Sequence, residues 1–251
     1  MVKRLQKFQE FFQSDAEHFV LIGGSACDLH FEQLGMNFRA TQDLDIVLCV
    51  EALSGEFVER FWEFIRLGKY TIRQRADGKK EFYRFIAPQE EGYPRMLELF
   101  SRRPDVLPFA PHIHLTPIPT DEEISSLSAI LLDEEYYRFI LSQRRNIDGL
   151  SVVSPEGLVV LKARAWMDLC ARRMAGYAVD SGNIRKHHND IIDLRPLVVP
   201  RPLPLESGIR KDMVDFLALY KAENIDLKNR MVPRGITKDY LMSILNILFG
   251  I

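Results

Sequence analysis

Apolar and polar positions follow two periods along this chain, and the dominant period changes near residue 153. Leu5, Phe8, Phe11 and Phe12 share one face at helical spacing, which predicts an amphipathic helix over 3–14. Phe19-Val20-Leu21-Ile22 is a short apolar run closed by Gly23-Gly24, the mark of a buried strand and its turn. Ser25 is placed to cap a helix of about ten residues, through Ala26, Leu29 and Leu34 to Gly35. From Asp43 to Val50 the period becomes two: Leu44, Ile46 and Leu48 face one way, Asp43, Asp45 and Val47 the other. Glu56–Leu67 returns to helical spacing and stops at Gly68. Hairpin strands are expected around Tyr70–Arg75, Glu81–Ala87 and Arg95–Arg102, with the turn sequences Ala-Asp-Gly-Lys and Glu-Gly-Tyr-Pro between them. His112–Ile118 and Tyr136–Ser142 carry weaker strand patterns.

From Pro155 onward the pattern is helical: Pro155–Met174, Ser181–Leu197, Glu206–Tyr220 and Thr237–Leu248. Pro155 suits the first turn of its helix, and Pro-Arg-Pro-Leu-Pro at 200–204 reads as a linker. The expected organisation is an α/β half, residues 1–153, followed by a helical half, residues 154–251. There is no internal repeat and no low-complexity tract.

Composition narrows the classes. In 251 residues, 47% are hydrophobic and 27% charged, so the chain has ample apolar surface to fold. A net charge of −2 argues against a general nucleic-acid coat. The charge is uneven: residues 1–150 hold 18 Lys and Arg against 24 Asp and Glu, and residues 151–251 hold 15 against 11. Cys27, Cys49 and Cys170 are far apart without CxxC spacing, which fits a reducing compartment and disfavours disulfides or a Cys-rich zinc site. The opening residues lack a signal-peptide core, and no apolar run approaches a bilayer span. A cytoplasmic protein without a membrane partner is expected.

The chemistry concentrates in Leu21–Leu48, LIGGSACDLHFEQLGMNFRATQDLDIVL. Gly-Gly-Ser between a strand and a helix lets the backbone approach a ligand, and the free N–H groups of the helix start form an anion site. Asp43 and Asp45, two apart on a strand, point to the same side. Two such carboxylates repel, and Mg²⁺ (or Mn²⁺), which prefers oxygen ligands and is often completed by phosphates, relieves the repulsion. Arg39, in Arg39-Ala40-Thr41, is placed to meet a phosphate. A further carboxylate, Glu98, is embedded among large apolar residues in Arg95-Met96-Leu97-Glu98-Leu99-Phe100. Burying it requires a partner, which a metal would supply; the alternative is an edge strand with Glu98 in solvent. Lys162, on a largely apolar helix, likewise needs an anion, either a triphosphate or Asp190 or Asp193.

The Gly-Ser turn, the Asp-x-Asp strand and a third carboxylate on a neighbouring strand resemble the polymerase-β-type nucleotidyltransferase superfamily. Seventeen residues lie between Ser25 and Asp43, longer than that pattern usually has. GGSACDLHF and RATQDLDIVL, with LKARAWMDL at 161–169 and VDSGNIRKHHND at 179–190, resemble the AbiEii/AbiGii family of nucleotidyltransferase-like proteins. Many members of that family are toxins of type IV toxin–antitoxin pairs. The resemblance spans residues 15–200. It implies an α+β fold: an N-terminal nucleotidyltransferase-type mixed or antiparallel sheet with flanking helices, then a C-terminal helical bundle closing a cleft.

It also implies an NTP-dependent, metal-dependent nucleotidyltransferase. Asp43, Asp45 and Glu98 would be catalytic and metal-binding. Gly24, Ser25, Arg39, Thr41, Lys162 and Asp190 would bind the nucleotide, with Lys186 as a weaker addition. The implied acceptor is an RNA such as tRNA, or a protein, and a cognate antitoxin encoded nearby is an implied partner. The alternatives are a catalytically inactive nucleotide- or partner-binding protein on the same fold, and a nucleotidyltransferase acting on a small molecule such as an antibiotic. A structural Lys162–Asp190 bridge between helices is the other reading of Lys162, and it is compatible with a phosphate role.

Other signals carry less. His187-His188 are adjacent and diverge by about 100° on a helix, and His112 and His114 share a strand face without a third zinc ligand. His30 is placed either in the core or beside the cleft. No Ser-His-Asp pattern supports Ser25 as a nucleophile. The pairs Arg102-Arg103, Arg144-Arg145, Arg172-Arg173 and Arg185-Lys186 read as solvated surface or as a phosphate-binding rim. Phe61, Trp62, Phe64, Phe216 and Tyr220 are expected in the core.

Overall fold

Glycines and capping side chains decide where the elements begin and end. The computed structural model describes residues 3–49, 51–75, 82–100, 116–118, 133–223, 227, 230–231 and 235–251. The chain divides into two compact units, residues 1–153 and 154–251. In the first unit, α1 is Lys3–Phe12 and β1 is Phe19–Ile22, buried at every position. The chain turns into α2, Gly23–Gln33, at Gly23, whose φ of 71° favours glycine. The helix therefore starts two residues before Ser25. Its N-cap position, Ile22, supplies no side-chain bond, so Ser25 does not cap it.

β2, Asp43–Leu48, follows with the expected alternation. In α3, Gly55–Leu67, the Ser54 hydroxyl accepts from the Phe57 amide at 3.1 Å, and Gly68 ends the helix. β3 (Thr71–Arg75), β4 (Phe82–Ile86) and β5 (Met96–Phe100) occupy the three hairpin segments, and β6 is Thr116–Ile118. Within His112–Ile118 only β6 is described; His112, His114, Arg102 and Arg103 lie outside the described residues.

Tyr136–Ser142 is helical rather than extended, as part of α4, Glu134–Ser142. Asp133 caps it by accepting from the Glu135 and Tyr136 amides, and Glu134 and Glu135 suit the positive end of the helix dipole. Tyr136, Tyr137, Phe139 and Ile140 then bury one helical face. Two further strands, β7 (Arg144–Ile147) and β8 (Leu150–Val153), form a hairpin through Asp148-Gly149. Both turn residues have positive φ, 49° and 84°, as a two-residue turn matching strand twist requires.

The described strands form one mixed sheet in the order β6-β3-β4-β5-β2-β1-β8-β7. β1 runs antiparallel to β2 and parallel to β8, and β2 runs parallel to β5. Glu98 is therefore on an interior strand, flanked by β4 and β2, not on an edge. Phe8 and Phe12 of α1 pack with Phe64 of α3 and Phe19 of β1, with ring centroids 4.5–6.3 Å apart. Phe61 and Trp62 extend this aromatic core to Phe85 of β4.

The second unit is helical: α5 (Pro155–Met174), α6 (Ser181–Asp193), a 3-10 turn (Arg195–Leu197), α7 (Ser207–Ala222) and α8 (Lys238–Phe249). Ser154, Asp180 and Thr237 cap α5, α6 and α8 with side-chain oxygens. Trp166 meets Phe216 and Tyr220 edge-on, and Phe216 meets Phe249, so α5, α7 and α8 share one core. The helix expected to reach Leu197 stops at Asp193, whose carboxylate accepts from the Met231 amide and pairs with Arg230. The protein is thus α+β, a mixed sheet with helices followed by a helical bundle. No described helix is long and apolar enough to cross a membrane.

Candidate functional site

The register of β1 against β2 places Ile22 opposite Asp45, so the Gly23 turn adjoins the Asp45 carboxylate. A Cβ at Gly23 would stand 1.8 Å from Asp45 Oδ2 and 2.8 Å from its Cγ. Glycine is needed here twice, for its positive φ and for this approach. The turn thus brings a carboxylate beside the start of α2, where backbone N–H groups lack helical partners.

Gly24 is packed similarly. A Cβ there would be 2.8 Å from Thr41 Oγ1 and 3.4 Å from Arg39 Nη2. Gly24, Arg39 and Thr41, separated in sequence, are therefore neighbours. Ser25 is buried, and its hydroxyl donates to the Asp43 carbonyl at 2.5 Å, tying α2 to the start of β2. Its proton is committed to the backbone, so what Ser25 offers to an anion is its amide. A cavity of about 730 Å³, bounded by Gln42, Gln89, Tyr93 and Arg95, opens where β2 and β5 begin, the end of the sheet that carries Asp43 and the Gly23 turn. It is open to solvent, and none of Gly23, Gly24, Ser25, Arg39, Thr41, Asp43 and Asp45 lines it.

Asp28, one turn into α2, carries no motif signal in the sequence. It shares with Ser25, Thr41 and Leu44 the lining of a cavity with room for about one water. Burial pushes its carboxyl above the usual carboxylate range, opposed by a hydrogen bond with the Phe38 backbone and by Arg39. A raised folded-state pKa means that ionised Asp28 costs stability at neutral pH. The cost disappears once both states are protonated, below the unfolded value. Asp28→Asn is expected to stabilise the protein at pH 7 by less than about 1 kcal/mol, the group being half exposed. No gain is expected near pH 3, and thermal melts at the two pH values check it.

Asp43 and Asp45 are both half-buried and share one face of β2. Asp45 is in register with Glu98 of β5, and Glu98 with Arg84 of β4. A row Arg84–Glu98–Asp45 thus crosses three adjacent strands on one face, ending beside Gly23. Glu98 is buried, and its carboxylate is held by the Arg84 guanidinium through Nε and Nη2. The partner that burial demands is therefore an arginine on the next strand, invisible along the sequence because register sets the pairing.

This bears on the expected metal. Among the described residues no group of three His, Cys, Asp or Glu is close enough to hold one. Glu98, the third carboxylate expected at the metal, is engaged by Arg84. The Asp43–Asp45 pair alone still fits Mg²⁺ in donor chemistry, because that ion commonly takes one or two carboxylates and completes its shell with phosphate and water.

In the second unit Lys162 and Asp190 are both buried, and Lys162 Nζ is 2.8 Å from Asp190 Oδ2, linking α5 to α6. The bridge is the arrangement observed. Lys186 lies on α6. His30 is buried, with Nε2 2.7 Å from the Val153 carbonyl, so it joins α2 to β8. His188 packs on Tyr220, and burial lowers its pKa. Arg144 and Arg145 are on the exposed edge strand β7. Arg172 and Arg173 end α5, Arg172 lying over the Tyr177 ring at 5.9 Å.

No family model and no curated protein matches the chain. The AbiEii/AbiGii resemblance therefore rests on its motif segments alone. Among solved structures, the chain is similar to an antigenic nucleotidyltransferase-like protein from Paracoccidioides brasiliensis. The identity is 15% and the TM-score 0.47, over 98% of this chain and 91% of that one. A likeness at that level fixes no activity.

Proposed function

We propose that this protein is a Mg²⁺-dependent nucleotidyltransferase that moves a nucleotide from an NTP to an acceptor. The observation that carries this reading is the seating of the Asp45 carboxylate against Gly23, where α2 begins. That seating joins a pair of hard oxygen donors to a phosphate-binding helix start, the two features the reaction needs side by side. The α2 amides and Arg39 bind and orient the triphosphate, Thr41 packs against Gly24 to shape the turn, and Asp43 and Asp45 hold Mg²⁺. The ion, when bound, would offset charge on the attacking and leaving oxygens.

The acceptor hydroxyl oxygen bonds to the α-phosphorus, the bond to the bridging oxygen breaks, pyrophosphate leaves, and the acceptor proton passes to a carboxylate. The acceptor in this reading is an RNA, such as a tRNA end, or a protein side chain, as the family resemblance implies. The toxin role and a neighbouring antitoxin belong to the same reading. The Lys162–Asp190 bridge supports a structural role for both residues rather than direct contact with phosphate.

Incubation with each α-labelled NTP, Mg²⁺ and total cellular RNA or protein is expected to label one of them. Asp43→Asn and Asp45→Asn should reduce the label to background. Label at the wild-type level in both variants would refute the assignment. A second reading, nucleotide binding without transfer, is favoured by the engagement of Glu98 with Arg84. Calorimetric binding of an NTP that requires Mg²⁺, with no label on any acceptor, would select it.

A further inference from the structure

The row Arg84–Glu98–Asp45 has an electrostatic consequence. Asp45 and Glu98 are direct cross-strand neighbours on strands that stand about 4.8 Å apart, so two acidic residues share one face of the sheet side by side. Like charges directly opposite one another destabilise a sheet. Arg84, directly opposite Glu98 on its other side, supplies the compensating charge. We propose that Arg84 is a built-in counter-cation that withholds Glu98 from the Asp43–Asp45 pair, so that the nucleotide-free site binds a divalent cation through two carboxylates rather than three. Arg84 is then a positioning residue that sets metal affinity through Glu98. This rests on the reading of Asp43 and Asp45 as the metal-holding pair.

Neutralising Arg84 upsets this balance. Glu98 loses the Arg84 guanidinium while remaining buried, and the cation that offset its charge beside Asp45 is gone. A divalent cation is then the group that removes the penalty, because it takes both carboxylates at once. Removing the arginine should therefore tighten metal binding, whereas loss of an ordinary structural ion pair would loosen or unfold the site.

The probe is Mn²⁺ without nucleotide, its binding measured by calorimetry or by the electron paramagnetic resonance of the free ion. Wild type and Glu98→Gln are expected to bind alike, within about twofold, because Glu98 is not a ligand in the resting site. Arg84→Gln should bind about tenfold tighter, the scale on which groups around a metal ligand tune affinity. Arg84→Gln/Glu98→Gln should return to the wild-type value, and Arg84→Lys, which keeps the charge, should stay near it. Arg84→Gln is expected to melt lower than wild type without metal and to gain more from Mn²⁺.

Weaker Mn²⁺ binding in Glu98→Gln, or no tightening in Arg84→Gln, overturns the proposal while leaving the Asp43–Asp45 assignment standing. Arg84→Gln that stays unfolded even in Mn²⁺ overturns it too, because the ion then fails to replace the guanidinium. Mn²⁺ binding indifferent to Asp45→Asn in every background overturns both this proposal and the metal-holding pair.

Discussion

Gly23→Ala is expected to lower stability by roughly 3 kcal/mol and to abolish nucleotide binding, through two separable causes. An L side chain at a φ of 71° carries a left-handed strain of about 1–2 kcal/mol. The added methyl would also lie 1.8 Å from Asp45 Oδ2, so the carboxylate must leave its position beside the start of α2. A double-mutant cycle with Asp45→Ala separates the two. Truncating Asp45 removes the atoms that clash most, so the double variant should recover stability down to the backbone strain alone. Denaturant unfolding measures it. Equal loss for Gly23→Ala in both backgrounds would show that the approach of Asp45 to Gly23 has no energetic weight.

The second large effect is in the helical unit. Lys162→Met leaves Asp190, which is fully buried, without its cation, and Asp190→Asn leaves the ammonium without its anion. Removing one member of a buried pair typically costs about 3–5 kcal/mol. Each single variant is therefore expected to unfold at markedly lower denaturant. Lys162→Met/Asp190→Leu, which replaces the pair with apolar groups, should regain most of the loss, because no charge remains to be desolvated. A double variant as unstable as the sum of the singles would count against a pairing role.

The parts of the fold that can be read from the sequence are those with local punctuation. β1, α2, β2 and α3 are marked by Gly23-Gly24 and Gly68, and their cores follow from periods of two and 3.6. Tyr136–Ser142 is harder to read. Its aromatic and branched residues favour extended structure, but Asp133 caps a helix and the apolar residues bury one helical face. The β7–β8 hairpin escapes the hydrophobic pattern because its strands have four residues each, although Asp148-Gly149 is a strong turn signal.

At the candidate site, Asp43 and Asp45 can be placed together from sequence because alternation is a local property. Arg84 cannot, since β4 and β5 must be in register before it meets Glu98. The buried state of Ser25 is likewise hidden: its partner is a backbone carbonyl eighteen residues away.

The pairing of β1 also sets an order of events during synthesis. Its antiparallel neighbour β2 emerges soon after it, but its parallel neighbour β8 pairs through Leu21 and Val152 and is translated more than a hundred residues later. At roughly 5–20 residues per second, one edge of the apolar strand Phe19–Ile22 waits on the order of ten seconds for its partner. Until then the nascent sheet presents an open strand edge, the feature most prone to pairing with a second chain. The last strand of the first unit is therefore also the one that protects its first.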